Sequence, residues 1–122
     1  MSKVTVEQAR NMTNQEFFNR VWERAKDPTR AMSGTQGHSD YQCLYRAPNG
    51  KECFYGCCIP DVDFVPKMDD KMTLKYISFR ITPLVAYGLA LSCQRVHDSC
   101  APDEWTNHLR EIAREWELTI PA

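Results

Sequence analysis

The chain has 122 residues, of which 43% are hydrophobic and 25% charged, and its formal net charge at pH 7 is −1. This length predicts a single domain, 1–122, with a core of modest size. A charge so close to neutral argues against a nucleic-acid partner, because nucleic-acid binders normally carry a basic surplus. No apolar run reaches the roughly 18 residues of a membrane span, and the N-terminus lacks the apolar segment of a signal peptide. The composition therefore predicts a cytoplasmic protein without membrane association.

The N-terminal third predicts an arm, a helix and a loop. Residues 1–12 carry only a weak capping signal at Thr5 and are predicted as an arm. Thr13 and Glu16 form a capping box, and apolar residues at helical spacing follow, so a helix is predicted over 14–26. The residue before Pro28 avoids the α region, which ends that helix. Residues 29–40 contain turn residues without apolar periodicity and are predicted as a loop.

Residues 41–55 have the pattern of a β-hairpin. Strands are predicted over 41–46 and 51–55, and Asn49 and Gly50 between them favour a tight turn because they tolerate positive φ. Alternation along the first strand would place Tyr41, Cys43 and Tyr45 on one face.

The C-terminal half predicts two more helices. Residues 72–80 fit either a strand or a short helix, and the choice stays open at this point. Thr82 and Pro83 predict the start of a helix that runs to about His97. Pro102 opens a third helix with an apolar stripe of Trp105, Leu109, Ile112, Ala113 and Trp116. The expected fold is therefore α+β, with three main helices packed against a short β-hairpin.

Six cysteines offer the clearest chemistry: Cys43, Cys53, Cys57, Cys58, Cys93 and Cys100. In a reducing cytoplasm, cysteines are expected to be free, buried or metal-bound. Cys43 and Cys53 on facing strands, with Cys57 and a fourth ligand from His97, would form a structural zinc site. Buried free thiols without a cofactor are the favoured interpretation, because cysteine is among the most buried residue types, and the zinc site and a disulfide are the alternatives.

A thiol-dependent enzyme is a further reading of the same residues. Cys57 or Cys58 would be the nucleophile, with His97 as base and Asp98 as orienting group. The spacing alone does not bring these side chains together.

The hairpin also predicts a surface for a protein partner. Only one face of a two-stranded hairpin packs on the helices, so some of its rings are expected to be exposed beside an arginine. The residues predicted to form this surface are Tyr41, Tyr45, Arg46, Phe54 and Tyr55.

The run from Cys43 to Asp61 follows the pattern Cys-x-Tyr-Arg-x-Pro-x-Gly-x-x-Cys-x-x-Gly-Cys-x-Ile-Pro-Asp. It resembles a family of small proteins of bacteria and their phages to which no activity is assigned, and segments 12–17, 94–98, 104–105 and 109–110 resemble that family too. The resemblance implies a shared structural role for Cys43, Cys53, Cys57 and His97. It also implies that a protein-specific partner surface would arise most easily in 29–40 or 62–80, which match less well.

The expected function follows from this resemblance together with the small size and the lack of a catalytic motif. We expect a phage or prophage accessory protein that binds and modulates a host protein in the bacterial cytoplasm, as an inhibitor of the anti-defence or host-takeover type. The alternatives are a zinc-stabilised domain of unknown role and the thiol-dependent enzyme.

Overall fold

A computed structural model describes residues 4–27, 53–60, 63 and 74–121. Within these ranges lie five α-helices: α1 (Val6–Arg10), α2 (Asn14–Ala25), α3 (Leu74–Ile81), α4 (Tyr87–Ser99) and α5 (Trp105–Glu115). Two 3-10 helices, Gly56–Cys58 and Pro102–Glu104, also lie within these ranges. No helix in this part of the chain is long and apolar enough to cross a membrane.

The predicted α+β fold is wrong, because the described part of the chain is helical and contains no strand. In the predicted return strand 51–55, the described residues Phe54 and Tyr55 form a turn that leads into Gly56–Cys58. The N–H of Cys58 donates to the carbonyl of Tyr55 at 2.9 Å, a local bond that curls the chain. All of 53–60 is buried, whereas a hairpin strand exposes alternate side chains. The predicted strand 41–46, its turn and the loop 29–40 lie outside the described residues.

A capping box starts α2 as predicted. The Thr13 hydroxyl accepts from the Glu16 N–H at 3.1 Å, and the Glu16 carboxylate accepts from the Thr13 N–H at 3.0 Å. These two bonds satisfy amides that have no partner within the helix. The helix predicted over 14–26 is therefore confirmed, and it ends at Ala25.

The segment predicted as an arm carries a helix instead. Thr5 and Gln8 form a second capping box at the start of α1. Behind it, Ala9 and Met12 are buried in the core. Burial of these apolar side chains stabilises a helix that is too short to persist alone.

In the run 72–80, whose structure the sequence leaves open, residues 74–80 belong to the helix α3. The helix after it starts later than predicted. Thr82 does not cap a helix that opens at Pro83. Its buried hydroxyl lies 2.6 Å from the hydroxyl of Tyr55 and 3.3 Å from the carbonyl oxygen of Ser78. Because that hydroxyl is used inside the core, the chain turns through 83–86 before α4 begins, and the Ala86 N–H donates to Asn14 Oδ1 at 2.8 Å.

The core lies between α2, α4 and α5. Helix α5 packs against both α4 and α2, the 3-10 helix Gly56–Cys58 packs against α2, and α3 joins α4 to α1. The Arg110 guanidinium of α5 lies 5.3 Å from the ring centroid of Trp22 on α2. The C-terminal tail is held by Gln15, whose side chain pairs with the backbone N–H and C=O of Thr119, both at 2.9 Å.

The C-terminus of α5 ends in a left-handed residue. Glu117 has a φ of 55°. The Leu118 N–H donates to the Ala113 carbonyl at 2.8 Å, and the Glu117 N–H donates to the Arg114 carbonyl at 3.3 Å. This is the Schellman arrangement, in which glycine is the favoured residue at the left-handed position.

Glu117→Gly is expected to raise the free energy of unfolding by about 0.5–1 kcal/mol, because glycine has no Cβ to oppose a positive φ. Urea denaturation measures the change. The control is Glu115→Gly at the last residue of α5, which is expected to lower stability by up to about 1 kcal/mol because the backbone there is helical. Equal losses in both variants would contradict the left-handed cap.

Candidate functional site

The segment 53–60, which we call the cysteine turn, buries three of the thiols. The Gly56 N–H donates to Cys53 Sγ at 3.3 Å, and Cys57 Sγ donates to the Phe54 carbonyl at 3.1 Å. The sulfurs of Cys57 and Cys58 lie 3.9 Å apart. The thiols therefore serve as hydrogen-bonding groups that shape the turn.

Burial keeps thiols of the cysteine turn, and one thiol on α4, in the neutral form. It raises the pKa of Cys53 far above the ordinary range and raises the pKa of Cys93, on α4, to about 12. The contact with Cys57, together with burial, raises the pKa of Cys58. A nucleophilic cysteine needs thiolate character and access to solvent. Cys58 has neither, so this geometry does not support it as a nucleophile.

His97 lies in a buried aromatic cluster. Its ring stacks on Trp105 at a centroid distance of 5.2 Å and meets Phe54 edge-on at 5.0 Å, while Phe54 and Trp105 are 4.9 Å apart. Its Nδ1 is 3.1 Å from Asp98 Oδ1. Through these contacts His97 ties the cysteine turn to α4 and to the start of α5.

The zinc site predicted from Cys43, Cys53, Cys57 and His97 stays a prediction. Within the described ranges, no group of three or more His, Cys, Asp and Glu side chains is arranged to hold a metal ion. Cys43 lies outside those ranges. Zinc would bind Cys53 as a thiolate, so its binding would release the proton that burial retains.

Two residues of the predicted partner surface lie in the core. Phe54 and Tyr55 are fully buried. The Tyr55 hydroxyl forms a hydrogen bond with the Thr82 hydroxyl, and the backbone N–H of Tyr55 donates to Gln94 Oε1 at 3.1 Å. In this conformation neither ring is available to a partner. The other three residues, Tyr41, Tyr45 and Arg46, lie outside the described part of the chain.

A different apolar surface is exposed on and after α3. Phe79 is 81% exposed, Leu84 60% and Tyr76 52%. Lys75 and Arg80 are exposed on the same helix, and Arg80 Nη1 donates to the Tyr76 hydroxyl at 3.4 Å. We call the five residues Lys75, Tyr76, Phe79, Arg80 and Leu84 the α3 surface.

The opposite side of α3 fixes this surface in place. Ile77 and Ile81, four residues apart on one helix face, are both buried. At the end of the helix, Arg10 of α1 donates to the Ile81 carbonyl at 3.0 Å and bonds the Asp63 carboxylate at 3.1 Å. The exposed rings therefore stand on an anchored helix.

Sequence reasoning did not identify the α3 surface, because the run 72–80 fits two structures that expose different side chains. If the run and the residue after it are helical, Ile77 and Ile81 lie on one apolar face, and Phe79 falls outside that face. An aromatic residue outside the buried face of a helix is the one feature of the sequence that indicates an exposed ring here. The resemblance implies a partner surface within 62–80 or 29–40 and names no residues there.

No protein-family model, curated protein or solved structure matches the chain. The resemblance of the run 43–61 to small bacterial and phage proteins therefore stays a prediction. Inference about function rests on the geometry of the α3 surface and of the cysteine turn.

Proposed function

We propose that this protein works by binding another protein, and that the α3 surface is its docking site. The observation that carries the proposal is the exposure of Phe79, at 81%, on a helix whose other face is anchored in the core. Aromatic residues and arginine dominate the binding energy of protein interfaces. An exposed phenylalanine beside an arginine, presented on a fixed helix, supplies both at low ordering cost.

The setting that we propose for this binding comes from the resemblance of the run 43–61. It favours a small phage or prophage protein that binds and modulates a bacterial host protein. The near-neutral net charge supports a protein target over nucleic acid. The raised pKa values of Cys53, Cys58 and Cys93 support binding over thiol chemistry at those residues.

Affinity capture followed by a binding measurement tests the proposal. The tagged protein and its Phe79→Ser variant are used as separate baits in bacterial lysate, and the proteins that each bait retains are identified by mass spectrometry. The purified partner is then titrated calorimetrically. We expect one stoichiometric complex, weakened at least about tenfold by Phe79→Ser, since a central aromatic anchor contributes ~2 kcal/mol or more.

Ile120→Ser is the matched control, because Ile120 is also exposed and lies in the C-terminal tail. It is expected to leave the affinity unchanged. A partner that binds the Phe79→Ser variant as tightly as the wild type would refute the docking site. The absence of any direct partner would refute protein binding itself.

A further inference from the structure

We infer that the α3 surface recognises an acidic segment of its partner in which carboxylates alternate with apolar side chains. This inference rests on the proposed function and specifies the chemistry of the partner. The surface combines two cations with two exposed rings and a leucine, so a purely apolar or a basic segment would leave its charges without partners.

Both charged residues of the α3 surface are cations. Residues 71–97 contain four cationic side chains, Lys71, Lys75, Arg80 and Arg95, and no aspartate or glutamate. The chain as a whole is nearly neutral, so this stretch departs from the average composition. Charges of one sign steer a partner of the opposite sign and disfavour partners of the same sign.

The cations of the α3 surface are also available. Elsewhere in the described ranges Arg10, Lys26 and Arg114 pair with Asp63, Glu23 and Glu111, whereas Lys75 and Arg80 form no ion pair there. Arg80 Nη1 donates to the Tyr76 hydroxyl, which holds the guanidinium beside the ring. Its remaining N–H groups are suited to a carboxylate.

The spacing on α3 interleaves charge with apolar area. Lys75 and Phe79 are four residues apart, as are Tyr76 and Arg80, so each cation neighbours a ring on the helix surface. A partner strand or helix that alternates carboxylates with leucine or phenylalanine would meet both kinds of side chain at once. Exposed cations beside rings also suit single-stranded nucleic acid, but Leu84, at 60% exposed, offers no stacking face.

Fluorescence anisotropy with defined probes tests the inference. The main probe is a short fluorescein-labelled peptide of Asp, Glu, Leu and Phe, and its twin replaces each acid with Asn or Gln. At low ionic strength we expect the acidic peptide to bind about tenfold more tightly than the twin. The double variant Lys75→Gln, Arg80→Gln should remove most of that difference, because two exposed charge pairs together contribute ~1.4 kcal/mol.

The control double variant Lys26→Gln, Arg114→Gln removes the same charge from other helices and should bind the acidic peptide like the wild type. Equal binding of both peptides, or equal losses in both double variants, would overturn the inference, and so would preferential binding of an oligothymidylate probe. These outcomes differ from failure of the proposed function. A captured partner that depends on Phe79 but not on Lys75 and Arg80 would keep the docking site and reject the acidic segment.

Discussion

Phe54→Ala is expected to lower the free energy of unfolding by about 3–5 kcal/mol, the usual cost of deleting a fully buried phenylalanine ring. Phe54 is fully buried and lies edge-on to both His97 and Trp105. The substitution leaves a cavity where the cysteine turn meets α4 and α5, and it removes two aromatic contacts. Urea denaturation followed by circular dichroism measures the loss.

Phe79→Ala is the matched control, since it makes the same chemical change at a ring that is 81% exposed. Its effect on stability is expected to stay within about 0.5 kcal/mol. Phe54→Leu, which keeps most of the volume, should cost less than about 1.5 kcal/mol. If Phe54→Ala were as mild as Phe79→Ala, the cysteine turn would not be packed against these helices as described.

The sequence predicts where a helix begins or ends when that boundary depends on side chains that are close together in the chain. The capping box of Thr13 and Glu16 is complete within four residues, so the start of α2 was predictable. The start of α4 was not. Thr82 has the sequence of an N-cap, but its hydroxyl pairs with Tyr55, which is 27 residues away. A long-range hydrogen bond of this kind leaves no periodic pattern in the sequence.

The hairpin prediction failed for a related reason. Around Cys53 and Tyr55, a strand of a hairpin with one exposed face is predicted from the turn signal of Asn49 and Gly50. In the fold, both sides of this segment are covered by helices, and the backbone bonds locally in a 3-10 turn. A turn signal in the sequence does not determine whether the residues after it pair in a sheet or are buried on both sides.

The candidate site was predicted only in part. Sequence reasoning identified Cys53, Cys57 and His97 as notable, and the structure places all three in the buried region around the cysteine turn and α4. Their role depends on burial, which sets the protonation of the thiols and is a property of the whole fold. The exposure of Phe79 is equally a tertiary property, because it results from which face of α3 meets α4 and α1.

Stability is expected to fall steeply as the pH rises above about 9. In the unfolded chain, cysteine thiols ionise near their ordinary pKa of 9.0, whereas in the folded state Cys53, Cys58 and Cys93 have raised pKa values. Below pH 9 the thiols are protonated in both states, and their full contribution to stability is present. Above pH 9 the unfolded state binds fewer protons than the folded state. Each of these thiols therefore lowers the free energy of unfolding by up to about 1.4 kcal/mol per pH unit, until the pH reaches the pKa of that thiol in the folded state.

Urea denaturation under reducing conditions, from about pH 7.5 to about pH 10.5, measures this slope. Tyrosine and lysine titrate in the same range, so the informative quantity is the difference between variants. Cys93→Ala should reduce the slope by about one proton, because the pKa of Cys93 is raised to about 12. Val96→Ala, a buried truncation on the same helix, should lower stability without changing the slope. If Cys93→Ala kept the slope of the wild type, the Cys93 thiol would not be held neutral by burial in the folded state.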